Sequence, residues 1–163
     1  MDFISENTFW TILLIVHGLL AVALLGALTH QAAAVALPAR KTADSGFVER
    51  FRSVNSASYA TAICVLWILT FIMGAWIYTK YRVAIRIPIE DLGFWKTQGF
   101  FELKEHAVSM GLGLLPIYWY FWKNASDTQY GSARKWTTVV LAAFCWFGFL
   151  VGHVVNNVRG FGS

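Results

Sequence analysis

Charged residues are scarce in this sequence. Its 163 residues include only 13 Lys and Arg and 9 Asp and Glu, which is 13% of the chain, whereas a soluble domain usually carries about 25%. Proline occurs only three times and cysteine twice. The shortage of charge argues against a water-soluble domain, and three prolines without a Ser/Gly-rich tract leave little room for a disordered tail or a flexible linker. We therefore expect one membrane domain over residues 1–163, which contacts the lipid bilayer and no nucleic acid.

Four long runs without Asp, Glu, Lys or Arg indicate membrane spans. They contain 33, 27, 17 and 23 residues and lie between Glu6 and Arg40, Arg52 and Lys80, Glu105 and Lys123, and Lys135 and Arg159. A helix needs about 20 apolar residues to cross the roughly 30 Å hydrocarbon layer. The shortest run is extended by Phe100, Phe101 and Leu103. The pattern predicts four transmembrane helices, at residues 8–37, 57–79, 102–122 and 136–158.

The predicted fold class is all-α, an integral membrane four-helix bundle that runs up-down-up-down with both termini on the same side. The predicted loops at 38–56 and 123–135 carry seven Lys and Arg residues, and the opposite side carries six. Basic residues are more frequent on the cytoplasmic side of a membrane, so this small difference favours cytoplasmic loops and external termini. The expected location is the cytoplasmic (inner) membrane of a prokaryote.

The segment 81–101 connects the second and third predicted spans and reads YRVAIRIPIEDLGFWKTQGFF. Charged residues of both signs alternate there with large apolar residues. This pattern is typical of an interfacial loop or a short amphipathic helix that lies on the membrane surface. Such a segment would cover one end of the bundle, and a partner subunit could dock on it instead.

All four histidines lie inside or at the edge of the predicted spans: His17, His30, His106 and His153. Ionisable residues inside a membrane usually have a function, although a neutral imidazole can also form a hydrogen bond between helices. By depth, His17, His106 and His153 fall in the same half of the bilayer. His30 follows His17 by thirteen positions, and at about 100° per residue the two side chains point roughly 140° apart. We therefore expect His30 at a helix–helix or subunit contact.

Histidines from different helices at one depth suit a haem site. A six-coordinate b-type haem takes two imidazole nitrogens as axial ligands, and helical bundles supply such ligands from facing helices. A flat porphyrin also needs small neighbouring residues. The predicted metal ligands are His17, His106 and His153, and the predicted cofactor-binding set adds Gly18, Gly113 and Gly152. No residue is predicted to be catalytic.

Polar residues near these histidines suggest two further roles. Lys104 and Arg159 are placed where they could pair with haem propionates or with anionic lipid headgroups. Glu105 is adjacent to His106, and a carboxylate beside an imidazole near a membrane surface could also form a proton relay at a quinone site. The sequence does not choose between these roles.

The four spans with their intramembrane histidines resemble the four-helix membrane b-type cytochromes, the haem-carrying anchor subunits of respiratory complexes. The resemblance implies one or two haem b groups held by two of His17, His106 and His153. It also implies electron transfer to or from quinone or a redox partner, together with other membrane subunits of a redox complex. Such a chain would be a non-catalytic electron-transfer subunit of an oxidoreductase rather than a complete enzyme.

Two other functions agree with the same fold. A pigment-binding or structural membrane subunit would need only one histidine for each (bacterio)chlorophyll magnesium, and 17% aromatic residues would suit packing against flat pigments. A small transporter or channel-like protein is the third possibility. The predicted spans argue against this third function, because they contain no Asp, Glu, Lys or Arg deep in the membrane. Proton and ion pathways commonly contain such a residue.

Overall fold

A computed structural model describes residues 5–36, 56–124 and 128–158. These residues are almost entirely helical and include no strand, which confirms the predicted all-α class. A short 3₁₀ turn, Thr128–Tyr130, precedes the last helix. The helices are α1 (Glu6–Ala36), α2 (Ser56–Ala84), α3 (Arg86–Asp91), α4 (Trp95–Lys123) and α5 (Gly131–Val158).

Three helical segments are long and apolar enough to cross a membrane, and they support the prediction of a membrane protein. They are Glu6–Ala36, Ser58–Ala84 and Thr128–Val158. The remaining long helix, α4, is 29 residues long but less apolar. Lys96, Glu102, Lys104 and Glu105 lie in its first half, and tryptophan and tyrosine are frequent in its second half.

The observed helices extend beyond several of the predicted spans. The second begins at Ser56 and ends at Ala84 rather than at residue 79, and the helix predicted at 102–122 begins already at Trp95. The predicted bounds were drawn where charges appear, because charge marks the edge of the hydrocarbon layer. A helix can continue past that edge, because its backbone hydrogen bonds are internal and persist in the headgroup region. Residue 37, the last of the first predicted helix, lies outside the described residues.

Each long helix packs against two of the others. Helix α1 contacts α2 and α5, and α4 contacts the same two helices. At one end, Lys80 Nζ of α2 lies 2.6 Å from Glu6 Oε1 of α1. At the other end, the Tyr59 hydroxyl of α2 donates a hydrogen bond of 3.1 Å to the Ala27 carbonyl oxygen of α1. Helices α1 and α2 therefore run in opposite directions.

The core fills the half of the molecule that contains the end of α1 and the end of α4. Its largest fully buried side chains include Trp67, Tyr118, Leu28 and Leu141. The Tyr118 hydroxyl donates a hydrogen bond to the buried Gln31 side chain. This bond pairs a phenol with an amide across α4 and α1, where water is absent and an unpaired group would be costly.

A second, smaller cluster of buried hydrophobic residues lies in the opposite half of the molecule and packs α3 against the long helices. It consists of Tyr81, Ile85, Ile89, Phe101 and Val155. The segment 81–101, predicted as an interfacial loop or short helix, thus contains the end of α2, all of α3 and the beginning of α4. Its buried residues form one wall of the site described next.

Candidate cofactor-binding cavity

A cavity of about 360 Å³ lies between the four long helices, in the half that contains His17 of α1 and His153 of α5. Its volume falls within the range of about 300–1,000 Å³ that is usual for small-molecule sites. The lining is mostly apolar. Six aromatic rings contribute to it: Trp67, Phe71, Tyr78, Tyr81, Phe101 and Phe149.

His17 is held inside the bundle by the absence of a side chain on α2. A Cβ atom on Gly74 would lie only 3.1 Å from His17 Cε1, so Gly74 leaves the space that the imidazole occupies. His17 Nδ1 is buried and has no hydrogen-bond partner among the described residues. A buried polar atom without a partner is unfavourable by about 1–3 kcal/mol. The Thr70 backbone lies close enough to interact with the imidazole, and a cavity ligand would reach this nitrogen only after the ring turns, because the atom has almost no accessible surface.

His153 lines the same cavity from α5, although its side chain is exposed like that of His106. Its ring is stacked on Phe149, one helical turn earlier, with centroids 6.5 Å apart and planes at 4°. Asn156, which also lines the cavity, follows on the same helix. Since α1 packs against α5, the structure brings two of the three predicted metal ligands, His17 and His153, to one cavity on neighbouring helices.

The structure does not place His106 in this cavity. The inward positions of α4 include Ala107, Gly111 and Leu115, which are buried, and His106 lies on a different face. Its side chain is exposed, and its Nδ1 donates a hydrogen bond of 2.7 Å to the Glu102 carbonyl oxygen one turn earlier. The prediction grouped His106 with the other two histidines by depth, and depth along a helix does not determine the direction of a side chain.

His30 lies at the helix–helix contact that its sequence position predicted. Its Nδ1 is 3.3 Å from the hydroxyl oxygen of Tyr59 on α2. The two rings also meet edge to face, with centroids 5.9 Å apart. His30 is absent from the cavity lining, so its neighbours indicate a structural role.

Two of the three predicted glycines belong to the cavity wall. Gly18 and Gly152 line the cavity, and a Cβ atom on either would meet nothing within 4 Å. Gly113 is exposed on the outer face of α4 and does not line the cavity. Sequence reasoning missed Gly74, which accommodates His17. The sequence does place a small residue on α2 close to the depth of His17. Glycine is too common in membrane helices, however, for one such residue to indicate a site.

Lys104 and Glu105 provide charge in an otherwise apolar lining. Lys104 Nζ lies 2.6 Å from Glu105 Oε1, with the lysine side chain only 16% exposed. The same ammonium group lies 4.0 Å from the centre of the Phe101 ring. Both charges are close enough to His17 to act on its imidazole electrostatically. The polar groups of the cavity thus include one ion pair, two imidazoles and an amide.

An aromatic stack forms the wall of the cavity towards α3. The rings of Tyr81 and Phe101 lie 3.8 Å apart at 12°. The Tyr81 hydroxyl donates a hydrogen bond of 2.7 Å to Gln98 Oε1, and Gln98 Nε2 donates one of 3.1 Å to Glu102 Oε1. This chain of bonds fixes the aromatic stack and links α2 to the first turns of α4.

Arg86 of α3 continues this network at the surface. Its Nε donates a hydrogen bond of 2.8 Å to Glu90 Oε1, and its NH2 group lies 3.5 Å from Glu102 Oε1. The Glu90 carboxylate raises the pKa of Arg86 above its ordinary value. The guanidinium therefore stays charged and ties α3 to α4.

The cavity offers two imidazoles as donors rather than a cluster of metal-ligating side chains. Within residues 5–36, 56–124 and 128–158, no group of three or more His, Cys, Asp or Glu side chains could hold a metal ion. An iron porphyrin needs only one or two imidazoles from the protein. Several features of the cavity are compatible with such a group. They are the unpartnered His17 nitrogen, His153 in the same lining, the aromatic walls and the open space at Gly18 and Gly152.

Comparison of the chain with models of known protein families, with curated proteins and with solved structures gave no match.

Proposed function

We propose that this protein is a membrane b-type cytochrome-like subunit, which binds haem b in the cavity between its four long helices. It would relay electrons to or from quinone or a redox partner within a larger membrane complex. The observation that supports this function most directly is the buried His17 Nδ1 atom. It has no hydrogen-bond partner in the described part of the chain, and it belongs to a residue that shares an apolar cavity with His153.

The proposed membrane arrangement is a four-helix up-down-up-down bundle with both termini on the same side. Contacts at both ends make α1 and α2 antiparallel. Trp119 Nε1 donates to Thr61 Oγ1, and Trp122 Nε1 donates to Thr138 Oγ1, which gives α4 the opposite direction to α2 and α5. The 29 residues of α4 span roughly 43 Å at about 1.5 Å each, enough to cross the bilayer. The proposed location is the inner membrane of a prokaryote.

His17 and His153 would hold the haem iron, because they are the two histidines that line the cavity. A bound haem supplies a reversible one-electron centre whose potential depends on its ligands and surroundings. The chain supplies the rest of the site. Gly18 and Gly152 leave space beside the two imidazoles, and the stack of Tyr81 on Phe101 forms an apolar part of the cavity wall. His106 has no place in this ligand pair.

The test is a reduced-minus-oxidised absorption spectrum of the full chain, purified in detergent from cells supplied with haem precursors. The wild-type protein is expected to show the sharp visible bands of a low-spin haem. His17→Ala and His153→Ala should each remove these bands, since each variant loses one of the two imidazoles that would hold the haem. His106→Ala and His30→Ala are the matched controls and should retain them, because neither residue lines the cavity.

Three outcomes would overturn the proposal or its ligand pair. A preparation that stays colourless after haem is added would exclude haem binding. Far-red absorption in place of the haem bands would instead indicate a (bacterio)chlorophyll held by a single histidine. Loss of the bands in His106→Ala, with retention in His153→Ala, would show that the ligand pair is wrong.

A further inference from the structure

Lys104 occupies an unusual position for a lysine in a membrane helix. Its side chain is 16% exposed and lines an otherwise mostly apolar cavity. The side chain passes close to α5, because its Cγ atom lies 3.9 Å from the place that a Cβ atom on Gly148 would occupy. A lysine near a membrane surface usually extends its ammonium group into water. Here the geometry keeps the ammonium group at the cavity.

Within the described part of the chain, the partners of Lys104 leave part of its hydrogen-bonding capacity unused. The ammonium group has three donors, and its polar contact is one Glu105 carboxylate oxygen at 2.6 Å. Its other close neighbour is the face of Phe101, which attracts a cation but accepts no strong hydrogen bond. The Glu105 side chain is 37% exposed, so water already weakens its hold on the lysine.

We infer that Lys104 binds an acidic group of the cavity ligand, so that the site selects a tetrapyrrole with free carboxylates. This inference rests on the proposed function, because it assigns a role at the same site. A charge-assisted hydrogen bond in a poorly solvated site is about twice as strong as a neutral one. Glu105 competes with the ligand carboxylate for the donors of the ammonium group.

The experiment compares two ligands that share the same iron porphyrin and differ in whether the two propionates are free or esterified. The full chain, prepared without haem, is titrated with haem and with haem dimethyl ester, in which both propionates are esterified. Wild-type protein should bind haem about tenfold or more tightly than the ester, because the ester lacks the carboxylates that the ammonium group pairs with. Lys104→Gln should remove this difference by weakening the binding of haem alone.

Three further variants complete the test. Lys104→Arg keeps the positive charge and should preserve most of the preference. Lys96→Gln removes an exposed lysine on the same helix that does not line the cavity, so it should leave the preference unchanged. Glu105→Gln removes the competing carboxylate and should increase the preference for haem over the ester. Far-UV circular dichroism of each variant confirms that the helices are retained.

The outcomes separate this inference from the proposed function. If haem and its ester bind with equal affinity, or if Lys104→Gln keeps the preference, the inference fails while haem binding stands. Equal affinity is the result expected if Lys104 instead pairs with a lipid headgroup, which esterification of haem does not affect. If neither compound binds, the proposed function fails and the inference fails with it.

Discussion

Trp67 lies against the backbone of α4 at Gly111. The indole ring is only 2% exposed, and a Cβ atom on Gly111 would overlap its six-membered ring. Small residues allow membrane helices to approach closely, which is the main source of their packing energy. Gly111 therefore determines how near α2 and α4 come to each other, just below the cavity.

Gly111→Ala should destabilise the protein by about 1–3 kcal/mol, because a methyl group forced into a packed interior displaces its neighbours. Gly113→Ala is the control on the same helix. A Cβ atom there meets nothing within 4 Å, so this variant should be neutral or slightly stabilising. Thermal unfolding in detergent, followed by circular dichroism, measures both effects. Equal melting temperatures for the two variants would contradict the contact between Trp67 and Gly111.

The short helix α3 is attached to the rest of the bundle through the residues on one of its faces. Ile89 is fully buried, whereas Ile87 is 51% exposed. The helix ends at Asp91, and Gly93, two residues later, has a φ of 78°, in the left-handed region that glycine adopts easily. The backbone N–H groups of Gly93 and Phe94 bond to the carbonyl oxygens of Glu90 and Ile89, as is common at helix C-termini. This turn leads the chain directly into α4.

Ile89→Ser should loosen α3, because burial of an isoleucine side chain contributes about 1.5–3 kcal/mol. Local opening of the helix would become about tenfold or more frequent. Hydrogen–deuterium exchange of peptides that cover residues 85–94 measures this opening. Ile87→Ser is the matched control and should exchange at nearly the wild-type rate. Equal rates in both variants would show that Ile89 does not anchor the helix.

At the scale of the whole molecule, the least apolar long helix decides the topology. Helices α1, α2 and α5 contain segments apolar enough to cross a membrane. Helix α4 carries several charges in its first half and aromatic residues in its second. If α4 crosses, the segments that flank it lie on opposite sides of the membrane. If it does not, they lie on the same side.

Single cysteines on either side of α4 test this arrangement. Cys64 and Cys145 are first replaced by alanine, and Leu92→Cys or Ser132→Cys is then introduced at an exposed position. A membrane-impermeant thiol reagent, applied to intact cells and to inverted vesicles, should label the two cysteines from opposite sides. Residue 132 should react from the cytoplasmic side. Labelling of both from one side would exclude the four-crossing bundle.

The sequence by itself determined that the protein is helical and that it has helices apolar enough to cross a membrane. Uncharged runs between Glu6 and Arg40 or between Lys135 and Arg159 can satisfy their backbone groups in lipid only as helices. It also determined the approximate depth of each histidine, because the rise per residue of a helix is constant. The thirteen-residue spacing of His17 and His30 separated their directions, and His30 does contact Tyr59 rather than the cavity.

Only the tertiary structure decided which histidines meet. His17, His106 and His153 are similar in depth, but the direction of each imidazole depends on how its helix is rotated against its neighbours. That rotation is determined by contacts that are distant in sequence, such as Gly74 with His17 and Gly111 with Trp67. These contacts place His17 and His153 at the cavity and leave His106 on the outer face of α4. Helix rotation is a property of packing, and no spacing within a single helix encodes it.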